Sequence, residues 1–465
     1  MQYISKKILL VIILGVSIFI SCKKTDKGTP APTPPPPPPP VTLADKIKDT
    51  TLLYARDIYL WYKQIPADLN PRTFADPDAI MKKIREFSME PGYPKAVDHF
   101  SFAMKQAEWN NVSSGISGDF GIDVFFFNSP AVTTDLRVKS VERESPAGKA
   151  GVKRGWRITK INGSTNINAA DQASLNAVVD GVFYSSTTSF TFLKPDGTSL
   201  DLTLNATSYQ THPVMADSVY TISGKKIGYL VFDSFIGDTV EIKSELNRVF
   251  TRFSTSAVND VVIDLRYNGG GYVSLAALLS NYLVPSSDNG SLMMRQEYND
   301  KYSQYNSSTN FAKVGNVNLS RVFFIVSSGT ASASELVINN LKGLSDIEVK
   351  LIGRDNTYGK PVGYFPIPVG DWYIFPVSFK TVNKIGQSNY YNGFTPDAIK
   401  ADGLDKNWGD ITETSLASAI KYITTGAFRL QTEPSYQELP EITNANLTLD
   451  KHSFKGTIDT RKILR

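Results

Sequence analysis

Three short, strongly apolar runs dominate the second half of the chain: Ile227–Phe232, Val261–Leu265 and Val322–Val326. Runs of this length and β-branched content fit strands covered on both faces. Between and after them lie stretches with helical spacing, such as 274–283 and 334–341. Strands alternating with helices predict an α/β layer, here spanning residues 208–427. A chain of 465 residues has room for further units.

Upstream, the texture changes twice. Residues 42–112 repeat apolar positions at helical spacing (Leu52, Ala55, Ile58, Tyr59; then Ile80, Met81, Ile84), which predicts a small helical domain with its aromatic residues in the core. Residues 113–207 read as short strands with glycine turns. Gly118-Asp119-Phe120-Gly121-Ile122 leads into one strand, Leu136–Val141 alternates cleanly, Ser145-Pro146 opens a short helix, and Asn162-Gly163 marks a turn. This order resembles a PDZ domain, a fold that binds an extended peptide by adding it to a sheet edge. The resemblance implies a peptide-binding loop at Gly118, Phe120, Gly121 and Ile122. The alternative is a module that only packs on its neighbours.

The N-terminus predicts export. Lys6 and Lys7 precede an apolar run, residues 8–20, that is short for a membrane span and suits a signal-peptide core over residues 1–21. Cys22, the only cysteine, follows directly and resembles the acylated cysteine of a bacterial lipoprotein; an uncleaved anchor with an incidental cysteine is the other reading. Residues 22–41 contain Pro34–Pro40 and would form an extended, semi-rigid stalk. The expected location is the cell envelope, with the lipid in the outer membrane. A formal charge of +4 gives no reason to invoke nucleic acid. The sequence offers no CxxC, HExxH or clustered His/Cys set, so neither a metal nor another cofactor is expected. Residues 428–465 are polar and irregular and predict little.

The chemistry concentrates in two places. Asp264-Leu265-Arg266-Tyr267-Asn268-Gly269-Gly270-Gly271 ends a buried strand, and its glycines let the backbone turn tightly and aim N–H groups outward. Asp264 and Arg266 read as a charge pair bracing that loop. Thr330-Ala331-Ser332-Ala333-Ser334-Glu335 opens a helix, whose first N–H groups favour developing negative charge. A serine hydroxyl needs a base to become a nucleophile. Only three histidines exist, so Lys360, after Tyr358-Gly359, is the candidate base if burial lowers its pKa. From the residues alone, Ser332 could equally be a helix cap and Lys360 a surface turn residue.

Asp-Leu-Arg-x-Asn-x-Gly-Gly, then Ser-Ala-Ser-Glu, then Gly-Lys, in this order behind a PDZ-like module, resembles the C-terminal processing peptidases of the S41 family. Asp98-His99-Phe100-Ser101 and Pro396-Asp397 add to the likeness, which covers roughly residues 43–425. The resemblance implies a crotonase/ClpP-like α/β core and a serine endopeptidase acting on unfolded or C-terminally exposed proteins. It implies Ser332 as nucleophile, Lys360 as general base, Glu335 as a supporting acid, and an oxyanion hole from Gly270 and Ala333, with Gly269 as a lesser candidate. Two departures stand out. Tyr364 occupies the place where many members carry a glutamine that orients the lysine, and residues 344–350 lengthen the interval from serine to lysine. Lys342 and Lys350 are weaker candidates for the base. Two other functions fit the residues: a silent peptide-binding lipoprotein, and an esterase or carbohydrate-linked hydrolase pairing Ser332 with His212.

Overall fold

The computed structural model describes residues 40–127, 133–428, 448–449 and 454–460. The expected signal peptide, Cys22 and nearly all of the expected proline-rich stalk lie outside the described residues, as do residues 429–447.

Residues 42–465 form one compact unit. It opens with helices α1 (Leu43–Ile58) and α2 (Pro77–Ile84). An antiparallel module follows, with strands β1 (Ile122–Phe126), β2 (Leu136–Val141), β3 (Arg157–Ile161), β4 (Thr187–Leu193) and β5 (Ser199–Asn205) in that spatial order. Alternation along these strands sends Val124, Phe126, Val138, Phe190 and Phe192 into a core of the module's own. The Asn162-Gly163 turn is present, with both residues at positive φ.

The main sheet contains β6 (Val214–Ile222), β7 (Lys225–Phe232), β8 (Asp260–Asp264), β10 (Arg321–Val326), β11 (Glu348–Gly353) and β12 (Ala398–Ile399). All its pairings are parallel except that of β6 with β7. Leu230, Phe232, Ile263 and Phe324 face helices α3 (Thr239–Thr255), α4 (Val273–Leu283) and α5 (Ala333–Lys342). Tyr229, Val231, Val262 and Phe323 face α6 (Thr414–Thr425) on the other side. Covering both faces explains why these strands read as apolar throughout. A short strand β9 (Gly270–Tyr272) leads from the glycine loop into α4.

The N-terminal helices do not enclose a separate core. Leu52, Ile58, Ile80 and Trp109 belong to the same apolar cluster as Phe232 and Phe375. Residues 102–105 pair antiparallel with 372–375, and Leu60 N–H donates to Val377 O at 2.8 Å.

The C-terminal segment is more ordered in its pairing than its composition suggests. Thr448–Leu449 (β13) adds antiparallel to the edge of β1, and Gly456–Ile458 (β14) pairs parallel with β9.

Candidate active site

Ser332 stands at the entry to α5 with φ +59° and ψ −106°, a backbone that a residue with a Cβ seldom adopts. Glu335 holds it there. Its buried carboxylate accepts from Ser332 N–H (2.8 Å) and Lys360 N–H (2.9 Å) through one oxygen. The other oxygen accepts from Gly359 N–H (2.7 Å) and Thr357 Oγ1 (2.6 Å). One side chain therefore ties the serine turn to the loop that delivers Lys360. Burial raises the Glu335 pKa, opposed by these four donors. Glu335→Gln would turn one acceptor oxygen into a donor facing N–H groups. A loss of about 1–3 kcal/mol is expected, to be read from the denaturant midpoint, with cleavage falling as the serine turn relaxes.

Lys360 is 1% exposed. Its Nζ lies 3.7 Å from the centre of the Tyr364 ring and 5.3 Å from that of Phe100. Burial pushes its pKa well below the ordinary lysine value, partly opposed by the charges of Asp98 and Glu335. Tyr364, the departure noted in the sequence, thus supplies a ring face against the amine, and its hydroxyl donates to Lys455 O (3.1 Å). Lys360 Nζ donates to the same carbonyl at 3.1 Å, while Ser332 Oγ hydrogen-bonds Thr457 Oγ1. Serine and lysine are held over one strand, each bonded to it and not to the other. Lys350 is engaged by Glu348 at 3.1 Å, and Lys342 Nζ lies near the Phe394 ring.

The glycine loop comes within reach of the serine. A Cβ on Gly270 (φ +103°) would stand 2.9 Å from Ala333 N and 2.6 Å from Gly456 O. As the first N–H of α5, Ala333 has no carbonyl within the helix to bond. Gly270 differs from the expectation of a free oxyanion donor: its N–H donates to Asn268 Oδ1 at 2.9 Å. Gly269 contributes a carbonyl, which accepts from Gly456 N–H. Asn268, which the sequence reading passed over, also accepts Ala331 N–H and Ser334 Oγ on its own carbonyl, joining loop and serine turn.

The expected brace is present. Arg266 pairs with Asp264 (2.7 Å), Asp402 (2.8 Å) and Glu413 (3.0 Å), all beneath the loop. Arg154 of the antiparallel module also meets Asp402, at 2.6 Å. Burial raises the Asp402 pKa, but the two guanidinium groups outweigh it and hold the value at about 2.

A cavity of about 500 Å³ runs from the module to the glycine loop, lined by Gly121, Ile122, Tyr267, Gly269, Phe454 and Lys455 among others. Of the proposed peptide-binding residues, Gly121 (φ +72°) makes the turn and Ile122 opens β1. Gly118 falls instead within a strand, 116–119, paired with 207–210, because the chain is already extended there. The Phe120 side chain is buried in the module core, so only its backbone could meet a peptide. His212 Nδ1 bonds Glu241 at 2.6 Å; it does not pair with Ser332.

Residues 226–399 match the model of peptidase family S41, and residues 47–102 match that of the peptidase S41 N-terminal domain. The chain carries peptidase S41 family domains. The carboxy-terminal processing protease CtpA of Bacillus subtilis is 26% identical to this S41 chain over 312 residues, covering 64% of it and 58% of CtpA. A Staphylococcus saprophyticus protein named for its likeness to CtpA is 24% identical over 270 residues, covering 58% and 50%. The chain thus spans about half the length of the curated relatives it matches. A crystal structure from Bacteroides fragilis assigned to the S41 proteases superposes with a TM-score of 0.66 at 26% identity, covering 81% of this chain and 97% of that one. Serine-type proteolysis is the chemistry of this family.

Proposed function

We propose that this S41 chain is a serine endopeptidase in which Ser332 is the nucleophile and Lys360 the general base. The observation that carries this reading is the placement of a strained serine and a buried, pKa-lowered lysine along three consecutive residues of one extended strand. Ser332 Oγ attacks the scissile carbonyl carbon as its proton passes to Lys360 Nζ, and the C–N bond breaks as that proton moves to the leaving amine. Water then adds to the acyl-enzyme and releases the acid, restoring both groups. The Ala333 N–H at the start of α5 supports the oxyanion. Substrates are unfolded or C-terminally exposed proteins. The antiparallel module acts as a PDZ domain that receives their ends at the Gly121–Ile122 edge, and the cavity leads on to the glycine loop. A lipid on Cys22 anchors the chain in the cell envelope, at the outer membrane.

The test is covalent labelling of residues 42–465 by a serine-directed fluorophosphonate, mapped by mass spectrometry, beside casein cleavage. Label on Ser332 that disappears in Lys360→Ala is the expected result. Label on another serine would mean that the nucleophile is misassigned. Absence of both label and cleavage, also when residues 455–457 are displaced from Ser332 and Lys360, would favour a peptide-binding lipoprotein.

A further inference from the structure

The strand that Ser332 and Lys360 touch is part of the chain itself. Residues 454–460 pass between β9 and Tyr364 as an inner strand. On one side Gly456 N–H donates to Gly269 O (3.0 Å), and Gly456–Ile458 pair with Gly270–Tyr272. On the other, Tyr364 N–H donates to Thr457 O and Asp459 N–H to Tyr364 O, both at 3.0 Å. Thr457 and Ile458 are 2% and 1% exposed. Phe454 packs edge-on against Trp109, with centres 5.4 Å apart. The Gly456 carbonyl oxygen and Ala333 N both lie within 3 Å of where a Cβ on Gly270 would stand, so the segment reaches the glycine loop where it faces the start of α5. Further back along the same segment, residues 448–449 add to the edge of β1 opposite Phe125 and Val124.

An extended peptide gains affinity from main-chain pairing along a sheet edge. Here one segment takes up that pairing at the module edge and again beside the serine. We propose that this C-terminal segment, through its parts at 448–449 and 454–460, is an internal competitor. It occupies the peptide path at the module edge and again beside Ser332, and an external peptide enters only by displacing it. The proposal rests on the protease reading for its cleavage readout alone.

Two variants of residues 42–465 open the path by different means. Gly456→Val places a methyl group against the Tyr364 hydroxyl and the Phe454 ring. Ile458→Asp puts a carboxylate at a buried position. Both are expected to speed amide exchange over 269–272, to bind a labelled synthetic peptide of residues 448–460 at least tenfold more tightly than the parent, and to cleave casein at least tenfold faster. The added peptide should then inhibit that cleavage. If the parent exchanges as fast as the variants, or binds the peptide equally well, the segment does not occupy the path and the proposal fails. It fails as well if both variants expose 269–272 without gaining peptide affinity. Peptide affinity gained without cleavage would retain the competitor and reject the protease. Cleavage that survives Ser332→Ala in either variant would reject the nucleophile and leave the competitor standing.

Discussion

Replacing Lys360 by methionine is expected to slow peptide cleavage about 10³-fold while leaving stability within about 1 kcal/mol of the parent. Methionine has nearly the same length and suits a pocket built from the Tyr364 and Phe100 rings, but it cannot accept a proton. Lys455 O keeps the Tyr364 hydroxyl as a donor. A residue that only filled space would show the opposite pattern, losing stability before rate. The pH dependence separates the two further. Lys360 acts as a base when unprotonated, and burial lowers its pKa well below 10.5. Activity should therefore rise with pH through that lowered value and level off well before the ordinary lysine range. Stability follows the same sign: between the lowered folded value and the ordinary unfolded one, the unfolded chain binds more protons, so stability rises with pH. Lys360→Met should flatten both trends, as measured by kcat/KM against pH and by denaturant midpoints against pH.

Arg266→Met is expected to destabilise the fold by about 3–5 kcal/mol, because removing one partner strands the others as uncompensated buried charge. Asp264 and Glu413 are both buried and both depend on this guanidinium. Asp402 would keep Arg154 but lose its link to the loop. Urea titration of residues 42–465 gives the stability change, and cleavage should fall with it, since residues 266–271 lose their brace. A shift under 1 kcal/mol would mean that water reaches the carboxylates. With the Asp402 pKa lowered to about 2 by the two guanidinium groups, its contribution in the parent is complete above the ordinary value of 3.8 and is lost as pH falls through 2.

Much of the architecture was legible because burial on two faces leaves an unmistakable trace. The runs at 227–232, 261–265 and 322–326 became β7, β8 and β10, and the helices fell where spacing placed them. Ser332, Lys360 and Glu335 stood out through the family resemblance and not through spacing alone, and the structure ties the backbones of the first two together through the third. The geometry around them was not legible. Glu335 takes four donors from two loops; the Ser-x-x-Glu spacing foretells the one from Ser332 N–H, but not the three from residues 357–360. Tyr364 was visible as an oddity but its partner was hidden, since a ring facing an amine is a matter of tertiary packing. Gly270 misled because a glycine permits a turn without saying which way its N–H points. Thr457 carried no signal, being one small residue in a polar segment whose order comes wholly from the strands it joins.

The shared apolar cluster of α1, α2 and the main sheet has a practical corollary for anyone dissecting this molecule. The S41 model spans 226–399, yet that interval is a unit of recognisable ancestry and not one of folding. A fragment with those ends would lack α6, baring Tyr229, Val231 and Phe323 on one side. It would also lack the 102–105 strand and Trp109, leaving Phe375 without its stacked partner Phe102. The smallest excisable piece begins at α1, with the antiparallel module as the one part whose own interior would travel with it.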